Sequence, residues 1–284
     1  MNILDMQQDP IKMLLIGDSG SGKTGALISL AEAGYNLRIL DFDKGLDILR
    51  LRLKGNPEAA KRVEFVPCQD KMDTSGGNIK AKGTPEGFSK ALRLLDNWKY
   101  KDPSGGEIDF GKPSAWTNKD IIVLDSLTFA SMACLRRIVV MDPKTNSLDD
   151  IWLNHYGDAA NQLENLLALL YSDYIRCNVI ITSHITFLGG NEEEAIADTG
   201  YPMALGKKLP PKIGRYFNTC LQCVKKGTGG SEKRVISTVP VGNVVVKSPL
   251  LGVPRELPIE SGLATYFKAW FDVNTNTTKE TTNV

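Results

Sequence analysis

The chain has 284 residues, 42% of them hydrophobic, with 34 basic and 33 acidic side chains and a formal net charge of +1. Such a length and apolar content can bury a substantial core and suit one large α/β domain, while the near-zero net charge excludes a globally basic body, so any nucleic-acid contact must come from a local patch. No basic-then-apolar leader opens the sequence and no run approaches the roughly 18 apolar residues of a membrane span. A cytoplasmic, thiol-reduced protein with no membrane partner is therefore expected.

The first strand is expected at Ile11–Ile16, followed at once by Gly17-Asp18-Ser19-Gly20-Ser21-Gly22-Lys23-Thr24. A helix from Lys23 to Ala33 closes on Gly34 in the C-cap position. Strands follow at Leu37–Leu40, ending in Asp41-Phe42-Asp43, and at Val63–Val66, stopped by Pro67. Residues 68–84 and 101–118, rich in Gly, Lys, Asp, Ser and Pro, read as exposed loops around a helix near Pro85–Trp98. The second of these loops, despite Phe110 and Trp116, reads as a disordered surface segment.

Ile121-Ile122-Val123-Leu124-Asp125 is the strongest strand signal. Helices follow near Phe129–Val140 and Ile151–Tyr174, then a buried strand Val179–Ser183 ending at His184. Residues 185–214 read as a long loop, and alternating segments near 216–225, 233–239 and 243–247 read as strands. Strand–helix alternation implies a mainly parallel sheet flanked by helices, with C-terminal antiparallel hairpin strands at its edge. One domain over 1–272 and a disordered tail over 273–284 are expected. Cys220 and Cys223 lie three apart on an expected strand and so point to opposite faces; with His155 and His184 as the only histidines, two buried thiols fit better than zinc ligands.

The Gly17–Thr24 spacing is that of a phosphate cradle. Glycines let successive N–H groups turn inward and the helix adds the positive end of its dipole. Lys23 then reaches the β- and γ-phosphates of ATP and the Thr24 hydroxyl ligates Mg2+. Asp125, at the C-terminal end of a buried strand, is the carboxylate expected to hold that magnesium, directly or through water. Asp41, Asp43 and Asp47 are candidates to orient the attacking water, and His184, at the next strand end, is placed to sense the γ-phosphate.

This order of motifs resembles the RecA-type recombinase core over roughly residues 10–270, and within it the compact phage-encoded ATPases of single-strand annealing and recombination. The resemblance implies that Asp43 is the catalytic carboxylate, with Asp where the family has Glu, and that His184 takes the place of the polar sensor. It also implies that 185–214 is a mobile loop meeting single-stranded DNA, with Lys207, Lys208, Lys212 and Arg215 as backbone contacts, Phe187 and Tyr201 as stacking rings, and Glu192-Glu193-Glu194 opposing them. Lys247 and Arg234 fall near the positions from which this family completes a neighbour's site in trans. A homo-oligomer is thus expected, with a single-strand-binding protein among the candidate partners and a phage-infected bacterium as the setting. Competing readings are a helicase- or loader-type replication motor, a small-molecule kinase, and a module that binds ATP only as a switch.

Overall fold

A computed structural model describes residues 9–74, 80–81, 83–145, 151–190 and 197–277 of the chain. Along the first half run β1 (Lys12–Ile16), α1 (Lys23–Ala26), α2 (Ile28–Glu32), β2 (Asn36–Asp41), α3 (Asp47–Leu53), α4 (Pro57–Ala60) and β3 (Val63–Pro67). A short hairpin of β4 (Met72–Asp73) and β5 (Lys80–Ala81) precedes α5 (Gly87–Asp96), a second hairpin of β6 (Lys99–Lys101) and β7 (Glu107–Asp109), and β8 (Asp120–Asp125). Then come α6 (Leu127–Met141), α7 (Leu153–Tyr171), β9 (Asn178–Ser183), the hairpin β10 (Ile185–Leu188) and β11 (Thr199–Pro202), and α8 (Pro210–Ile213). The chain closes with β12 (Thr219–Lys226), β13 (Lys233–Ser237), β14 (Glu256–Pro258) and α9 (Gly262–Thr277).

Eight strands make one sheet in the order β14-β13-β12-β1-β9-β8-β2-β3. From β3 to β12 every pair is parallel, and β13 and β14 add antiparallel at one edge. This is the expected mainly parallel α/β sheet with a C-terminal antiparallel edge. The edge's last strand is β14, however, and not the segment near 243–247. Val244 and Lys247 form only isolated bridges, to Gly200 and Cys220.

Both faces of the sheet are covered, so its central strands read as unbroken apolar runs. Alternation along β1 sends Leu14 and Ile16 into the core beneath α5, α6 and α7, and Met13 and Leu15 into the core beneath α1 to α4 and α9. Cys220 and Cys223 divide between the same two cores, and burial pushes both thiols up to about 12. The expected single helix over 23–33 is two short runs meeting at Leu27. It ends in a Schellman turn, with Gly34 N–H donating to the Ala31 carbonyl and Tyr35 N–H to that of Leu30.

The segment 101–118 is not the disordered loop its composition suggests. Trp98 is fully buried, with its ring 5.5 Å from that of Trp116, and Trp116 Nε1 donates to the Phe110 carbonyl at 2.9 Å. The Arg38 guanidinium lies 3.9 Å above the Phe110 ring. Three aromatics thus give this hairpin its own apolar footing. Of the expected tail, 273–277 is helical as the end of α9, and 278–284 lies outside the described residues.

Removing the Trp98 side chain leaves a cavity beneath this hairpin. Trp98→Ala is expected to lower stability by about 3–5 kcal/mol, whereas Leu51→Ala, at a surface position on α3, changes it by under about 0.5 kcal/mol. Urea denaturation of the two variants measures the contrast.

Candidate nucleotide site

The phosphate loop leaves the sheet at the C-terminal end of β1, where Gly17 N–H donates to the Ser183 carbonyl at 3.1 Å. No side chain fits at Gly17, because a Cβ there would lie 2.6 Å from the Cys223 carbonyl oxygen. Gly22 has φ +99°, a left-handed conformation that glycine adopts without strain, and a Cβ there would press on Ile259 and Arg234. Lys23, buried at the start of α1, curls back so that Nζ donates to the carbonyls of Gly17 at 2.8 Å and Asp18 at 2.9 Å. Burial lowers its pKa, and neighbouring acidic groups that include Asp125, Asp43 and Asp18 partly offset that.

Asp125 ends β8 and is 1% exposed. One carboxylate oxygen accepts from Thr24 Oγ1 at 2.8 Å and the other from Thr182 Oγ1. Burial is the main cause that pushes its pKa up to about 6, with the negative charge of Asp43 adding to it and the two hydroxyls opposing. Thr182 is a site residue that none of the sequence motifs marks. Its one signal is a polar side chain inside the run Val179-Ile180-Ile181-Thr182, where a fully buried strand position needs a partner for a hydroxyl.

The three aspartates near the end of β2 separate clearly. Asp41 is buried, its carboxylate accepting from Lys44 N–H at 2.9 Å, and burial raises its pKa. Asp47 is on the surface of α3, paired with Arg50 at 3.2 Å. Asp43 lines the cavity over the phosphate loop, and its charge is felt by Lys23, Asp125 and His184 alike. His184 lines the same cavity with its ring edge-on to Phe129 at 6.2 Å. Burial, aided by the Lys23 charge, lowers its pKa and favours the neutral imidazole.

The cavity measures about 830 Å³ and is bordered by Ser19, Gly20, Gly22, Lys23 and Thr24, by Asp43, Asp125 and His184, and by residues of β13 and β14. That is the size of a nucleotide-sized pocket. The donor set also fits a magnesium nucleotide. With its proton directed to Asp125, the Thr24 hydroxyl keeps its lone pairs for a cation. Ser21 Oγ is a buried hydroxyl inside the cradle without a hydrogen-bond partner. No group of three or more His, Cys, Asp or Glu side chains able to hold a metal occurs among the described residues. A hard cation held by one hydroxyl, one carboxylate and phosphate oxygens, as magnesium is, needs no such group.

The remaining predicted residues scatter. Arg234 reaches the cavity wall of its own chain. Lys247 does not border the cavity; its Nζ donates to the Phe217 carbonyl at 2.9 Å. Lys207, Lys208, Lys212 and Arg215 are exposed, with Lys212 paired to Glu164 at 3.2 Å and the Arg215 guanidinium 5.5 Å from the Tyr216 ring. Their segment is not a continuous loop. It carries the β10–β11 hairpin and α8, anchored by buried Leu205, Leu209 and Ile213. Glu192-Glu193-Glu194 fall outside the described residues.

The folded pKa of Asp125 lies above the 3.8 of an unperturbed carboxyl, so the group adds stability below pH 4 and loses it as the pH rises through 6. A gap of about two units, at about 1.4 kcal/mol each, is ~3 kcal/mol at neutral pH. Asp125→Asn is expected to stabilise the ligand-free protein by about 1–3 kcal/mol at pH 7.5 and by nothing measurable at pH 4, while abolishing nucleotide turnover. Denaturant titrations at the two pH values, paired with an activity assay, check both halves.

Comparison with curated proteins returns no match. Among solved structures, similarity extends to a KaiC-like protein, PH0186, from Pyrococcus horikoshii OT3, at 11% identity and TM-score 0.42 over 87% of this chain and 84% of that one. It extends also to the flagellar accessory protein FlaH from Methanocaldococcus jannaschii, at 9% identity and TM-score 0.38 over 81% and 78%. The family model described as an AAA domain matches residues 9–250, which span the whole phosphate cradle, Asp125 and His184. The chain belongs to the AAA-domain family and is a P-loop ATPase.

Proposed function

We propose that this chain binds and hydrolyses magnesium-bound ATP and couples that cycle to single-stranded DNA in recombination or annealing. The observation that carries the coupling is a short chain of bonds from the nucleotide cavity to the basic segment. His184, in the cavity wall, accepts at its backbone carbonyl from Met203 N–H at 2.8 Å. The Thr128 hydroxyl, on the first turn of α6 just beyond Asp125, accepts from His184 N–H at 3.2 Å and lies 3.3 Å from the Met203 carbonyl. Lys207 and Lys208 follow within a few residues of Met203, and Phe187 on β10 is 53% exposed, available to stack on a base.

In this reading Lys23 and the loop N–H groups bind the phosphates, and Thr24 with Asp125 would hold the magnesium, which when bound neutralises phosphate charge. Asp43 orients the attacking water. His184, neutral near physiological pH, senses the outermost phosphate through its ring and transmits its position through its backbone to Met203. A self-associated form would align several basic segments along one strand.

ATP turnover is expected to rise on adding single-stranded DNA, more than on adding duplex, and Lys23→Ala to abolish it. Replacing Lys207, Lys208, Lys212 and Arg215 together by Ala should reduce single-strand binding and flatten its salt dependence by up to ~3 log units per log unit of salt, at about 0.7 for each phosphate no longer neutralised. ATPase and DNA-binding titrations at two salt concentrations measure both. Unchanged turnover at saturating single strands contradicts the DNA role, and transfer of phosphate to a small acceptor would point to a kinase instead.

A further inference from the structure

Arg234 lies on β13, two strands from β1, yet its side chain returns to the phosphate loop. Its Nε donates to the Gly20 carbonyl at 2.7 Å, and its stem lies where a Cβ on Gly22 would fall 3.1 Å from Arg234 Cδ. Glu232, which also borders the cavity, pairs with the guanidinium 3.3 Å from Nη2 and is itself held by Lys225 at 2.8 Å. A guanidinium has five N–H donors in a rigid fork, so groups beyond those two bonds remain on the cavity wall that Arg234 helps to form.

The bond to Gly20 has a mechanical consequence. In a trans peptide the carbonyl and the following N–H point opposite ways. A cation bonded to the Gly20 carbonyl therefore fixes the plane of the Gly20–Ser21 peptide, whose Ser21 N–H closes the turn by donating to the Asp18 carbonyl at 3.2 Å. The bond thus fixes the bend at the outer end of the phosphate loop. A residue completing a neighbour's site would instead project away from its own.

We propose that Arg234 acts in cis, as a positioning residue that sets the outer bend of its own phosphate loop and adds a cation to the phosphates bound there. This rests on the nucleotide-site reading, and the two fail in different ways. The experiment is steady-state ATP hydrolysis by the full chain with Arg234→Ala, Arg234→Lys and Lys23→Ala, each alone and with the first and last mixed in equal amounts. The expected result is a KM raised about five- to twentyfold in Arg234→Ala with kcat within about threefold, partial recovery of KM in Arg234→Lys, and no gain of activity on mixing. An arginine supplied in trans predicts the reverse: kcat lower by about a thousandfold or more, KM unchanged, and activity restored when Lys23→Ala subunits lend their arginine. That outcome, or no change in either constant, overturns the proposal. If Arg234→Ala does not fold, as judged by circular dichroism, the Lys variant and Arg234→Gln decide it on the same two constants. Full activity in Lys23→Ala would overturn the nucleotide-site reading itself.

Discussion

A carboxylate sealed in the protein interior organises this molecule. Asp125 is almost without solvent, and its two oxygens are held by hydroxyls from two different elements, Thr24 on the phosphate-loop helix and Thr182 on β9. An ionised group in such a place is costly unless hydrogen bonds and a counter-charge meet it. The hydroxyls supply the first, and the cavity in front of Thr24 is the place where a divalent cation would supply the second. The strand order follows the same need: β9 lies between β1 and β8, so its Thr182 stands beside the Asp125 strand end while its last residue, Ser183, receives the phosphate-loop N–H of Gly17.

From that centre the fold spreads two kinds of consequence. Toward the cavity, burial lowers the pKa of both Lys23 and His184; the Asp43 charge opposes this at each, and the Lys23 charge adds to it at His184. Toward the surface, Ser126 takes the N-cap position of α6, Thr128 bonds the backbone of His184 and Met203 at the base of the β10–β11 hairpin, and Asn243 and Val245 tie the hairpin from the other side. In the proposed function, these bonds are the route by which the cavity would act on the basic segment. The antiparallel edge closes the other side of the cavity with Arg234 on β13, Leu257 on β14 and Ile259 just after it.

Much of this is legible in the residues alone. The cradle is legible because its glycines are dictated by backbone geometry, and the Asp125 strand because four apolar residues before a carboxylate on a doubly covered sheet admit few other readings. Thr182 is less so: its role depends on which strand lies beside β8, and register between distant strands leaves no local mark. The footing of 101–118 is hidden for a related reason. A stretch rich in Gly, Lys and Asp reads as solvent-exposed until Trp116 and Phe110 are seen to meet Trp98 and Arg38, neighbours contributed by other elements. Arg234 shows the same limit, since element order places it near a family position but only the sheet brings it to Gly20 of its own chain.

In the proposed function, Thr24 and Asp125 form a magnesium site completed by the nucleotide. The direct measurement is the thermal unfolding midpoint of the native protein and of Asp125→Asn, each with ATP in excess EDTA and with ATP in excess magnesium. A magnesium-dependent rise is expected in the native protein and is lost in Asp125→Asn, while the rise caused by ATP without magnesium persists in both. An equal magnesium-dependent rise in the two proteins would contradict it.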